Sequence, residues 1–300
     1  MSSSQGRPAA NPISQADQRA FISNHLWSLP LRFAEPITIG VHHNEVGFER
    51  AWMRSATVTA LDLGGCRRIV MNQHVLKLYR DAVAANSTGG AVRVQIGSTP
   101  IDLKSVLLDE NEASDLAVLD ATDLDLRRDE MPDMVNALML GTGWIDDAYV
   151  PLQFHTPSPW PATDIKSDDA ILLGGYPEFL RERNGMDVTH ASWSMAGIPI
   201  TGEGFDEFRV RFDRSRWQNQ FGKSDEPLLL TKQLSGLSGS PVFVERLAEG
   251  GWICSLVGFV KAYDPDGDLL IVTSATNIRS DGSLKRRRAP IILGEHGDVS

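Results

Sequence analysis

Three side chains of this sequence, His74, Asp115 and Ser238, are of the types that acyl transfer needs: a base, a carboxylate to orient it and a hydroxyl nucleophile. Ser238 stands in Gly236-Leu237-Ser238-Gly239-Ser240-Pro241, a tight turn before the apolar run Val242-Phe243-Val244. Such a turn exposes the hydroxyl and lets backbone amides converge on one point, where an oxyanion could be held. Glycine at 236 admits backbone angles that other residues resist, so the N–H groups of Gly236 and Ser238 are the expected donors. His74 follows the apolar run ending at Met71 and opens a helix-like segment, a rigid mount for a general base. Asp115 opens the apolar run Leu116-Ala117-Val118-Leu119. A carboxylate there is costly to bury unless paired, and pairing with the imidazole would fix its tautomer. Each signal alone also suits a plain turn, a helix-start histidine or a strand-start aspartate. The three together, in the order His, Asp, Ser, carry the reading.

On those residues the sequence resembles the trypsin/chymotrypsin-like serine protease family, especially its bacterial, disulfide-poor members. Met71-Asn72-Gln73-His74-Val75 matches the segment that the family's histidine closes, Asp115 to Val118 its aspartate-led strand, and Gly236 to Pro241 its serine hexapeptide. Two weaker echoes are Leu173-Gly174-Gly175-Tyr176-Pro177, similar to a turn early in the second barrel, and Leu256 to Val260, similar to the strand after the nucleophile. The resemblance covers about residues 37–278. It implies a mostly β fold of two six-stranded antiparallel β-barrels, chymotrypsin-like, with a serine endopeptidase site between them and no cofactor. Three departures stand out. Gln73 replaces a small residue before the histidine, where bulk could displace the imidazole. Lys232 falls at the specificity-pocket position, and Lys261 and Tyr263 fall where the family has Ser and Gly, so all three are candidate substrate-binding residues and the last two could narrow the cleft. Leu237 replaces the aspartate that pairs with a freed N-terminus in secreted zymogens.

The elements that must position these residues are short. Strand-like segments recur at 37–41, 56–60, 68–71, 92–96, 117–119, 171–173, 208–212, 241–244 and 269–272, separated by Gly-Gly pairs and by Asp264-Pro265-Asp266-Gly267-Asp268. Many short strands with frequent turns fit sandwiches or barrels. A helix is expected over Val75 to Ala85, and a short amphipathic N-terminal helix over Ser14 to Leu29 after a polar leader. The resulting division is a leader with helix at 1–33, a first lobe with His74 and Asp115 at 34–140, and a connection with a second lobe carrying Ser238 at 141–300. The proline-bearing stretch from Leu124 to Thr163 reads as the connection.

Composition narrows the partners. A net charge of −10 repels phosphate backbones, so nucleic acid is disfavoured as a partner. The basic run Lys285-Arg286-Arg287-Arg288 reads as a solvated tail segment. Two cysteines, Cys66 and Cys254, are too few for a disulfide-built secreted fold, and no signal peptide or membrane span is apparent, which points to a cytoplasmic protein. The Asp264–Asp268 loop lacks the glycine and glutamate of a calcium loop, having Leu269 and Ala275 there. The remaining histidines have no metal-ligand spacing. Expected partners are a protein or peptide substrate and an activating protein that docks on the acidic surface or N-terminal helix of a latent enzyme. A second reading, motivated by Gln73, Lys261 and Tyr263, is a protease-like fold used as a protein-binding module.

Overall fold

The structure, a computed structural model, describes residues 29–42, 53–86, 91–126, 152–157, 165, 169–184, 187–190, 192–200, 206–212, 218–219, 234–248 and 251–286. The first sheet is built from β1 (Ala34–His42), β2 (Met53–Leu63), β3 (Cys66–Met71), β4 (Ala91–Ile96), β5 (Thr99–Ile101), β6 (Leu107–Asn111) and β7 (Leu116–Asp120). Its seven antiparallel strands, in the order β5-β4-β1-β2-β3-β7-β6, curl into a half-barrel. Two helices interrupt it, α1 (Gln73–Ala85) between β3 and β4 and the short α2 (Leu103–Val106) before β6.

The second sheet holds β8 (Ala170–Gly175), β11 (Trp193–Ile200), β12 (Glu207–Phe212), β13 (Gln218–Asn219), β14 (Pro241–Ala248), β15 (Gly251–Asp264) and β16 (Leu269–Ser274). Because β12 pairs with both β16 and β11, the six strands β12-β16-β15-β14-β8-β11 close into a barrel, with β13 on its flank. The fold is therefore mostly β and chymotrypsin-like in its two antiparallel lobes. The expectation of two six-stranded barrels holds for the second lobe, whereas the first is a curled seven-stranded sheet. The predicted strands all form, and α1 begins two residues ahead of its predicted start at Val75. The helix expected over Ser14 to Leu29 lies outside the described residues save for Leu29, which opens a helical stretch at 29–32.

Strand alternation explains how the lobes meet. Along β2, Ala56, Val58 and Ala60 face the first core beside Ile69 and Met71. Their neighbours Thr57, Thr59 and Leu61 turn toward the second lobe. Val70 and Val118 do likewise, joining Leu172, Phe243 and Phe259 in a third apolar cluster between the sheets. A run such as Leu116-Ala117-Val118-Leu119 is apolar throughout because both of its faces are buried. A two-stranded ribbon, β9 (Arg181–Asn184) and β10 (Asp187–His190), adds polar ties across the lobes: Arg181 donates to Ser55 Oγ and His190 Nε2 lies 3.1 Å from Thr38 Oγ1.

Of the Leu124–Thr163 connection, residues 152–157 lie along β2, with His155 N–H donating to the Ala60 carbonyl at 2.9 Å and Leu152 buried in the first core. Lys285 and Arg286 are exposed, as expected of a solvated segment, yet they are tethered. The Asn111 amide donates to the Lys285 carbonyl, and Arg286 binds the Asp109 carboxylate, so this stretch is strapped onto β6; Arg287 and Arg288 lie outside the described residues. The Asp264–Asp268 loop is the polar turn expected, with Asp264 Oδ1 accepting the Asp266 and Gly267 amides. Among the described residues no helix is long and apolar enough to cross a membrane.

Candidate active site

His74 sits in the first turn of α1, where β3 delivers it to the rim of the first lobe. Asp115 precedes β7 and is held at φ +52°, a left-handed conformation that aspartate tolerates better than most side chains. That geometry aims the whole residue at 72–74. Asp115 Oδ2 lies 2.8 Å from His74 Nδ1, Asp115 Oδ1 accepts the His74 amide at 2.8 Å, and the Asp115 carbonyl accepts the Gln73 amide at 3.1 Å. Asp115 is 8% exposed, so this carboxylate is buried among donors. A carboxylate can only accept here, so Nδ1 carries the proton and Nε2 is left as the basic nitrogen.

Gln73 does not part the His74 ring from Asp115, which stay 2.8 Å apart. The Glu110 carboxyl is held below the ordinary range by Arg80 first, with Gln73 contributing in addition.

The nucleophile turn spans 234–240 at the start of β14, with Gly236 at φ +93° and Gly239 at φ +88°. Neither glycine could be replaced without collision. A Cβ on Gly236 would strike the Tyr176–Glu178 backbone, and one on Gly239 would strike the Thr57 carbonyl. The N–H groups of Gly236 and Ser238 donate to no group among the described residues, while the Gly236 carbonyl is tied down by the Thr57 hydroxyl at 2.7 Å. Pinned carbonyls with unengaged amides are what an oxyanion site requires.

Thr57 is a residue that sequence reading missed. Its hydroxyl also accepts the Tyr176 amide at 2.9 Å, its amide donates to the Ser238 carbonyl at 3.0 Å, and Thr59 next along donates its hydroxyl to the Gly239 carbonyl at 2.7 Å. The Gly174-Gly175-Tyr176-Pro177 segment thus packs directly on the nucleophile turn, and a Cβ on Gly175 would overlap Ser240 Oγ. The only available signal was Thr57 and Thr59 alternating with Ala56, Val58 and Ala60 along β2.

His74, Gly236 and Ser238 line one cleft of about 340 Å³, walled by Ile39, Val75 and Leu78 and edged by Arg54 and Glu178. Within it the Ser238 hydroxyl donates to the Lys261 carbonyl at 3.5 Å, and no hydrogen bond joins it to His74. The Lys261 ammonium is taken up by Glu207 at 2.5 Å, and the Tyr263 hydroxyl donates to Asp268 at 2.6 Å. Lys232 lies outside the described residues. Three of the seven candidate residues, His74, Gly236 and Ser238, therefore share one cleft with Asp115 paired to His74 behind it, whereas the Lys261 and Tyr263 side chains are engaged elsewhere.

No protein-family model and no curated protein matches the chain. Among solved structures it is similar to Deg5, at 12% identity over 88% of this chain and 91% of the other, with a TM-score of 0.36. It is similar as well to AL20, a thermostable serine protease from an extremophilic microorganism, at 10% identity over 80% and 90% with a TM-score of 0.36. A third is the MamO protease domain of Magnetospirillum magneticum, at 13% identity over 80% and 92% with a TM-score of 0.28.

Proposed function

We propose that the chain is a serine endopeptidase in which Ser238 is the nucleophile, His74 the general base and acid, and Asp115 the group that orients His74. The supporting observation is the cleft that His74 and Ser238 line together, with the His74–Asp115 pair at 2.8 Å behind it. Nε2 would take the Ser238 proton as the oxygen adds to the substrate carbonyl carbon. The resulting oxyanion would accept the N–H groups of Gly236 and Ser238, and Asp115 would stabilise the imidazolium. Nε2–H then passes its proton to the departing amine. Water, deprotonated by the same nitrogen, releases the acyl group from the serine ester.

The proposed resting enzyme is latent. Its hydroxyl is directed at the Lys261 carbonyl and makes no bond to His74, so activation would have to bring it to Nε2. An activating protein partner would favour that rotamer. Both cysteines are free thiols, in keeping with a reducing, cytoplasmic setting. With its ammonium on Glu207, Lys261 would meet substrate through its backbone, and Tyr263 would bound the cleft.

The test is labelling by a fluorophosphonate. The chain, alone or after trimming of residues 1–33 or addition of cell extract, should be labelled, and Ser238→Ala should not. Equal labelling of the two, or none under any of these conditions, rules out the assignment.

A further inference from the structure

Asn72 precedes α1 at the position where an asparagine side chain ordinarily accepts an amide of the first helical turn, a capping bond worth about 1 kcal/mol. It makes no such bond. The side chain is fully buried and turned the other way, with Nδ2 donating to Asp115 Oδ2 at 3.1 Å and to the Asp115 carbonyl at 3.2 Å. Among the described residues its own Oδ1 is left buried without a partner, beside Gly239, whose added Cβ would sit 3.4 Å away. An orphaned buried acceptor costs on the order of 1–3 kcal/mol. Hydrophobic packing does not account for an amide here, since an apolar residue of the same shape would bury as well without either loss.

We infer that Asn72 is a positioning residue for the catalytic pair: its amide locks the Asp115 carboxylate so that Oδ2 stays on His74 Nδ1. This rests on the triad reading above and adds a member to it. The carboxylate otherwise has two donors, the His74 amide on Oδ1 and the His74 ring on Oδ2. Both belong to one residue, so they cannot hold the carboxylate against a joint swing of imidazole and carboxylate. Asn72 supplies the anchor from outside that pair. It also lies between the carboxylate and Gly239 of the nucleophile turn, so its amide plane separates the two groups that must not drift together.

The experiment compares the full-length chain with Asn72→Leu, which keeps the shape, removes the donor and removes the orphaned oxygen. The expected result is an unchanged or raised melting temperature, a kcat on a peptide ester lowered about 10- to 100-fold, and a KM within about twofold. The downfield proton resonance of His74 Nδ1–H, recorded without substrate, should broaden or shift in the variant and be absent in Asp115→Asn. A purely structural role predicts the reverse pattern, with altered stability and an unmoved resonance. Retention of both the resonance and kcat in folded Asn72→Leu overturns the inference. If the wild-type chain shows no turnover even after trimming of residues 1–33 or addition of cell extract, the peptidase reading fails by that measure alone, and the resonance still decides the role of Asn72 on its own. Should the leucine variant not fold, Asn72→Ala is read by the same two criteria.

Discussion

The amide of Thr57 donates to the carbonyl of Ser238 at 3.0 Å, so a strand of the first lobe holds the candidate nucleophile of the second. The Thr57 hydroxyl reinforces this by bonding the Gly236 carbonyl and the Tyr176 amide. Lobe docking and the geometry of the proposed oxyanion site therefore depend on one residue.

Replacing Thr57 by Val keeps the β-branched shape and removes the hydroxyl. Two buried backbone groups then lose their partner, at about 1–3 kcal/mol each. Unfolding free energy should fall by about 2–6 kcal/mol, and the fluorophosphonate labelling rate should fall about 10- to 100-fold as the Gly236 amide loosens. Urea titration and a labelling time course check both. A variant as stable and reactive as the wild type contradicts the role given to Thr57.

The turn glycines can be compared with a glycine that has the same backbone but open space. Gly64, in the β2–β3 turn, has φ +68° and nothing within 4 Å of an added Cβ. Gly64→Ala should cost only the left-handed strain, about 1–2 kcal/mol, and leave labelling intact. Gly236→Ala adds collision with the Tyr176–Glu178 backbone and should cost more than about 3 kcal/mol and abolish labelling. Equal losses in the two variants would show that strain alone, and not the packing of the turn, fixes the glycine.

Much of the architecture was legible because its cause is local. Hydrophobic runs gave β1 to β4 and β14, and the helix pattern gave α1 almost to its first residue. The candidate triad was legible because each member sits at an element boundary marked by Gly, Pro or a change of periodicity. What escaped depends on partners far along the chain. Thr57 looks like any strand threonine until Gly236 arrives beside it, and Asn72 looks like a helix cap until Asp115 is placed. The β9–β10 ribbon, Arg181-Glu182-Arg183-Asn184 and Asp187-Val188-Thr189-His190, has no apolar alternation to announce it. The ion pair of the exposed Arg286 could not be read because its acidic partner, Asp109, lies in the other lobe's sequence.

Cys254 tests the electrostatics of β15. Burial first, and Glu245 beside it, push its thiol up to about 11. Reaction requires the thiolate, so at pH 7.5 alkylation by iodoacetamide should run about 100-fold slower than for an ordinary cysteine. Glu245→Gln removes the smaller cause and should speed the reaction modestly. Mass spectrometry of the modified peptide reads the rate, and alkylation at the free-cysteine rate would contradict the buried placement.

Acid should part the lobes through His155. Its ring lies 4.8 Å from the Phe33 ring and meets Phe243 of the second lobe edge-on at 5.0 Å, with Nε2 covered and unpartnered. Burial lowers its pKa to about 4, and burial followed by Arg181 does the same for His190, which ties β10 to Thr38. The folded values lie below the ordinary 6.5, so the unfolded chain takes up protons first. Above pH 6.5 neither group affects stability. From pH 6.5 down to about 4 stability is progressively lost, up to roughly 3 kcal/mol per histidine, and below 4 their contribution is flat. Carboxylates add their own loss in acid, so the comparison has to be with a variant. His155→Phe fits the aromatic pocket and cannot be protonated. Between pH 7.5 and 4.5 its unfolding free energy, measured in urea, should fall less than that of the wild type by roughly 2–3 kcal/mol. Parallel curves for the two proteins would mean that His155 is accessible to protons in the folded state, and that the seam between Phe33 and Phe243 is not closed.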